Sequence, residues 1–232
     1  RLQPKELTGE DRPLSHIALG IVREQSADPE GAEKEYWRGA ELARQSGGSI
    51  AGLWAELYRF RLLAERQPAD VVAAMMPDLR RKVLRSGDRS VLAYLHMCIV
   101  VFEGQRGRLE EAQRHCGIVE AHLASVHNYS LHCAHQLNKG CIYFLDGNLV
   151  AAKEAFDEAL RLVDRTGDPL VRARITTNLA HVHLETGDLP LAHSLLHKTL
   201  QSPSFKNLGG LGALDGLARA FLAEKNYSRC EE

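Results

Sequence analysis

At 232 residues, with 44% apolar and 25% charged side chains, the chain has the profile of an ordinary globular protein able to bury roughly 70% of its unfolded surface. A formal net charge of −1 excludes a strong overall field toward nucleic acid or an anionic membrane, and no apolar run approaches the roughly 18 residues of a membrane helix. The N-terminus carries no apolar core of a signal peptide. The chain opens on Arg1 rather than methionine, so a fragment of a longer protein is expected. Five cysteines (Cys98, Cys116, Cys133, Cys141, Cys230) are odd in number and scattered over helical segments. They read as reduced thiols of a cytoplasmic or nuclear protein.

Residues 1–12 lack periodicity and read as a lead-in. From Pro13, Leu14, Ile17, Ala18 and Ile21 recur at helical spacing. Asp28-Pro29 then supplies an N-cap and a first-turn proline for a helix over 30–45, which ends at Gly47-Gly48. A helix over 50–66 stops near Gln67-Pro68. The next, 69–86, contains Pro77, which predicts a kink or a late start at Asp78. Helices follow over 89–105 and 108–125, then 129–146 and 149–165, then 169–186 and 190–202, each pair parted by a glycine. A helix over 207–225 comes after Pro203, and Asn226-Tyr227-Ser228 starts one more turn. No hairpin dipeptide lies between alternating segments, so no strand is predicted.

Self-comparison reveals a period. Turns between hairpins stand at Gly47, Gly87, His127 and Gly167, and turns within hairpins at Gln67, Gly107, Gly147 and Gly187. Both series advance by one constant interval of about 40 residues, in the range of helical-repeat units. The second helices align Ala32, Val72, Ala112, Ala152 and Ala192 in one column, and Tyr36, Met76, Cys116, Phe156 and Leu196 in the next. A small residue lets two helices approach, and a large neighbour fills the space beside it. One hairpin cannot bury its apolar face alone, so hairpins stack. The expected fold is all-α: a right-handed α-solenoid of antiparallel helical hairpins with about five and a half repeats, forming one domain over 13–232.

This arrangement resembles the tetratricopeptide repeat (TPR) family. Gly140, Tyr143, Gly147, Ala152, Phe156 and Ala159 match its pattern, followed by Leu179, Ala180, His183, Gly187 and Ala192, and by Leu217, Ala218 and Phe221. The long period is similar to the extended repeats of kinesin light chains, sensor domains of signal-transducing ATPases and cohesin-loader-like scaffolds. Residues 1–106 depart from the pattern, with Phe60 and Val100 where a small residue belongs.

First helices line the usual binding face of such arrays. One column there holds Tyr58, Cys98, Asn138 and Asn178, and a neighbouring one Trp54, Tyr94 and Arg174. Two further columns hold Leu57, Met97, Leu137 and Thr177, then Arg61, Val101, Cys141 and His181. The resemblance implies that Asn138 and Asn178 hydrogen-bond the main chain of an extended peptide, since an amide both donates and accepts. Arg174 can clamp a carboxylate. The alternative is that both asparagines brace neighbouring helices. Trp54, Tyr58, Tyr94, Met97, Leu137 and Phe144 form an apolar set suited to an amphipathic helix or an extended apolar segment, or belong to the core.

Other chemistry is poorly supported. His115, His122, His127, His132 and His135 lie near Cys116 and Cys133 without zinc-ligand spacing, and His193 and His197 share a helix face without the glutamate of a metalloprotease. No nucleophile motif or phosphate loop occurs; the Gly209–Gly212 run lacks the preceding strand. The basic run Arg80, Arg81, Lys82, Arg85 and Arg89 reads as a solvated helix end or, alternatively, a contact for an acidic partner. The expectation is therefore a non-catalytic protein-interaction scaffold without cofactor or metal. It would take a peptide or helix of a partner protein in its groove; neither membrane nor nucleic acid is expected. The alternatives are a ligand-sensing or autoinhibitory domain of a larger signalling ATPase or transcription regulator, and a self-assembly module pairing through the apolar end of its incomplete last repeat.

Overall fold

The computed structural model describes residues 11–201 and 210–224. Among them stand eleven helices and no strand. The first five are α1 (Asp11–Gln25), α2 (Pro29–Gln45), α3 (Ile50–Ala64), α4 (Ala69–Ser86) and α5 (Arg89–Gln105). Then come α6 (Leu109–Leu123), α7 (Tyr129–Leu145), α8 (Leu149–Thr166), α9 (Pro169–Glu185), α10 (Leu189–Leu200) and α11 (Gly210–Ala223). Odd-numbered helices are the first helices of hairpins, and even-numbered ones the second. The expected segments 1–10, 207–209 and 226–228, and Cys230, lie outside the described residues.

The helix limits follow from local chemistry. Asp28 accepts a hydrogen bond from Gly31 N at 2.9 Å, and Pro29 opens α2, where a missing N–H costs nothing. Asp168 caps α9 in the same way, accepting from Leu170 N and Val171 N ahead of Pro169. Gly87 and Gly167 end α4 and α8 with φ of 65° and 70°, the left-handed conformation that side chains resist. Two expectations change. The first helix begins at Asp11 rather than Pro13, because proline is tolerated anywhere in a first turn, where N–H groups have no partner. The late start at Asp78 is also wrong: α4 runs through Pro77. Ala73, whose carbonyl the proline frees, and Pro77 both face outward, where water can replace the lost bond.

The described chain forms two compact units. The first comprises residues up to 106 together with 114–126, and the second comprises 107–113 together with 127 onward. Within the first, Leu57, Phe60, Val72, Val83, Val91 and Leu95 make one core, and Ile17, Ala32, Tyr36 and Ala55 another. Within the second, Phe156, Ala152, Ala159, Val163, Ile175 and Leu179 form the core, continued by Ala180, Leu196, Ala213 and Leu217.

Hairpin packing is a matter of volume. Where the first helix carries glycine, an aromatic ring fills the gap: Gly20 faces Tyr36 and Gly140 faces Phe156. The two apparent departures obey the same rule inverted. Phe60, fully buried, packs with the flexible Met76, and Val100 stands in register with the small Cys116, both buried. Cys98, Cys116, Cys133 and Cys141 are free thiols. Burial raises the pKa of Cys98 to about 12 and that of Cys133 to about 11, which keeps them unreactive.

Candidate functional site

In the first unit, the first-helix face is aromatic. Trp54 and Tyr58, one turn apart on α3, meet Tyr94 on α5. Ring centroids lie 6.2 Å (Trp54–Tyr58), 5.1 Å (Trp54–Tyr94) and 5.3 Å (Tyr58–Tyr94) apart in tilted contact. Tyr36 stacks beneath Tyr58 at 5.4 Å. All three upper rings are partly exposed. Arg61, one turn beyond Tyr58, is committed to Glu24 of α1 and to Glu65 at 3.3 Å. Its charge is thus neutralised on the spot. Burial raises the pKa of the Tyr58 and Tyr94 phenols above their ordinary value, so both stay protonated.

In the second unit, the corresponding face is polar. Asn178 on α9 donates from Nδ2 to Cys141 Sγ on α7 at 3.3 Å, which brings it within one turn of Asn138. Its Oδ1 is left over. The Asn138 amide forms no hydrogen bond among the described residues and is partly exposed. Arg174, one turn before Asn178, is exposed and pairs with no carboxylate among the described residues. His181 lies 3.3 Å from Arg219 of α11, which bridges to Glu185; burial and then Arg219 hold His181 below its ordinary pKa.

Two sequence-derived candidates are not on either surface. Met97 is 2% exposed and Leu137 4%, and Leu57 and Thr177 of the same column are buried with them. One residue is a rotation of about 100°, enough to turn this column from the open face into the hairpin core. Cys98 is buried too. What sequence reasoning missed is the lateral support: Tyr36 under Tyr58, and Glu24 against Arg61. No periodicity signals either, because both partners sit on other helices.

The remaining clusters are quieter. His96 Nδ1 lies 2.7 Å from His115 Nδ1, and the rings stack with His122 alongside. Burial, followed by the charges of His115, His122 and Arg80, lowers the pKa of His96 to about 4. Among the described residues no three histidine, cysteine or carboxylate side chains are arranged to hold a metal ion, and no helix is long and apolar enough to cross a membrane. The basic run of α4 is partly spent: Lys82 reaches Glu56 at 2.9 Å and Asp78 at 3.0 Å.

No family model matches the chain. Intraflagellar transport protein 70A1 of Mus musculus is 25% identical over 159 residues, covering 68% of this chain and 21% of that protein. Intraflagellar transport protein 70B of Mus musculus is 25% identical over 158 residues, with the same coverage. The chain therefore spans about a fifth of the length of these curated relatives. Among solved structures, NprR in complex with its cognate peptide NprX matches with a TM-score of 0.71 at 14% identity, over 97% of this chain and 66% of that one. Such identity speaks to fold alone. The regular recurrence of its hairpins, an all-helical structure and this superposition together make the chain an all-α, TPR-like helical repeat protein.

Proposed function

We propose that this repeat array is a non-catalytic interaction module whose first-helix faces hold a segment of a partner protein. The observation that carries the reading is a set of polar groups in the second unit left uncommitted among the described residues: the Asn138 amide, the Asn178 carbonyl oxygen and the Arg174 guanidinium, on α7 and α9. Side chains that brace helices spend their hydrogen bonds on neighbouring elements, as Arg61 does. These three are largely unspent. An amide donor and acceptor side by side suit an extended main chain, and a free guanidinium suits a carboxylate, either at a chain end or on an acidic side chain. NprR was solved holding a peptide, which is compatible with this reading and does not carry it.

The test is affinity capture from a reducing cell extract, comparing the chain with an Asn138→Ala/Arg174→Ala/Asn178→Ala triple variant of equal helicity. A partner retained by the first and lost by the second supports the assignment. Equal retention by both would overturn it and direct attention to the aromatic face of the first unit.

A further inference from the structure

First helices bury one stripe of residues, spaced i, i+4 and i+7, against the hairpin before them. On α5 the stripe is Leu95, Ile99 and Phe102, which share a core with Phe60, Val72 and Val83 of α3 and α4. On α9 it is Ile175, Leu179 and Val182, which share a core with Phe156, Ala159 and Val163 of α8. On α3, Ala55 and Leu62 join Ile17, Ala32 and Tyr36 of the hairpin α1/α2. All of these stripe residues are buried. One repeat period earlier, α1 carries Ser15, Leu19 and Val22 in the same places. There Leu19 is 45% and Val22 55% exposed, with Ala18 exposed beside them. The helix itself is well seated, since Ile17 on its other side is buried and Gly20 lies against Tyr36. His16, Arg23 and Glu24 pair with Glu35, Asp28 and Arg61 of the hairpins that follow. The Ser15 hydroxyl donates to the Arg12 carbonyl oxygen at 2.8 Å, so covering it would strand no hydrogen-bond donor.

We propose that the Ser15/Leu19/Val22 stripe is a stacking face, covered by one further helical hairpin of the same repeat type that belongs to the same polypeptide and lies ahead of α1. A hairpin that caps a repeat array needs a polar outer face, and α1 instead presents the uncharged stripe of an interior repeat. The internal copies define the chemistry of the occupant: a second helix bringing an apolar ladder of the kind Phe156, Ala159 and Val163 offer to α9. They also define its source. Three side chains and their borders fall far short of the roughly 20–30 residues a side on which separate molecules form a stable interface. A tethered hairpin needs no such area, because its local concentration is in the millimolar range.

The test supplies such a hairpin to the intact chain. A second copy of residues 129–166, the α7/α8 hairpin, is fused ahead of Arg1, which leaves residues 1–10 as the connection, much as residues 201–209 connect α10 to α11. A second fusion carries residues 50–86, the α3/α4 hairpin, so that a misfit of one hairpin does not decide the result. Hydrogen exchange of the α1 amides is followed by mass spectrometry, with and without Leu19→Lys/Val22→Lys. At least one fusion is expected to slow exchange in α1 by at least about tenfold, the effect of burying one leucine and one valine. The double substitution is expected to abolish that slowing and to leave the unfused chain unchanged, because both side chains are exposed there. Failure of both fusions to slow exchange, or slowing indifferent to the double substitution, overturns the proposal. So does a dimer of the unfused chain, seen by light scattering, that the double substitution dissociates, since the face would then belong to a second copy.

Discussion

Replacing Gly140 by alanine puts a methyl group where the α7/α8 hairpin has no space for one. The new Cβ would lie 2.5, 2.6 and 2.9 Å from Cε1, Cδ1 and Cζ of Phe156, against the roughly 3.5–4.0 Å of a comfortable carbon–carbon contact. Phe156 is 1% exposed and enclosed by Leu137, Ala152, Ile175 and Leu179, so the ring cannot swing aside and the helices must part. Overpacking of this kind costs about 1–3 kcal/mol. Removing a glycine from a helix interior returns about 0.8–1 kcal/mol. The net expectation is destabilisation of up to about 2 kcal/mol, with near-neutrality as the lower limit. Gly117, within α6, supplies the control: a Cβ there meets no heavy atom within 4 Å among the described residues. Gly117→Ala should therefore stabilise by about 0.5–1 kcal/mol. Both variants can be followed by circular dichroism during thermal and urea unfolding, where 1 kcal/mol corresponds to about 2–4 °C. Phe156→Leu in the Gly140→Ala background should recover part of the loss, a coupling of at least about 0.5 kcal/mol. Were Gly140→Ala to stabilise as Gly117→Ala does, the close approach of α7 to the Phe156 ring would be refuted.

Acid should weaken the first unit through His96. Its pKa falls to about 4 in the fold from an ordinary value near 6.5, so the unfolded chain binds the extra proton; the stability is intact above about pH 6.5 and declines as pH falls from there toward 4. The full shift corresponds to about 3 kcal/mol, and solvent access through the partly exposed His115 and His122 reduces the expectation to about 2 kcal/mol; a His96→Gln variant with an unchanged slope of stability against pH would refute it. Arg174→Ala should change stability by less than about 0.5 kcal/mol because the side chain is exposed and has no ion-pair partner among the described residues. Arg61→Ala, by contrast, strands Glu24 with 21% of its side chain exposed and should cost about 1–2 kcal/mol, below the figure for a fully buried pair; equal urea midpoints for the two variants would sink this contrast. Asp168→Ala removes the acceptor for two N–H groups of α9 and should cost about 1 kcal/mol, with faster hydrogen exchange confined to the first turn of that helix as the check.

The fold is legible in the chain because its determinants are local and repeated. Asp28, Asp168, Gly87 and Gly167 act on the residues beside them, and the small and large columns recur from one hairpin to the next, so the period carries the tertiary contact. Phe60 and Val100 look like exceptions only because their compensating partners, Met76 and Cys116, stand on the second helix of the hairpin. The late start expected at Asp78 does not occur, because the effect of Pro77 depends on whether the freed carbonyl meets water, a property of the assembled surface.

The functional faces divide along the same line. Sequence by itself determined which residues share a column: Trp54 with Tyr94, and Asn138 with Asn178. Tertiary structure alone decided which columns are open. Met97 and Leu137 turn inward, since a rotation of about 100° separates a face from a core, and the angle of packing sets where that boundary falls. Tertiary structure also decided which charges are available. Arg61 and Arg174 are indistinguishable as arginines on first helices, yet one is held by Glu24 from a helix 37 residues earlier and the other has no ion-pair partner among the described residues. Pairing across helices depends on side-chain positions in space, and no spacing along the chain encodes it.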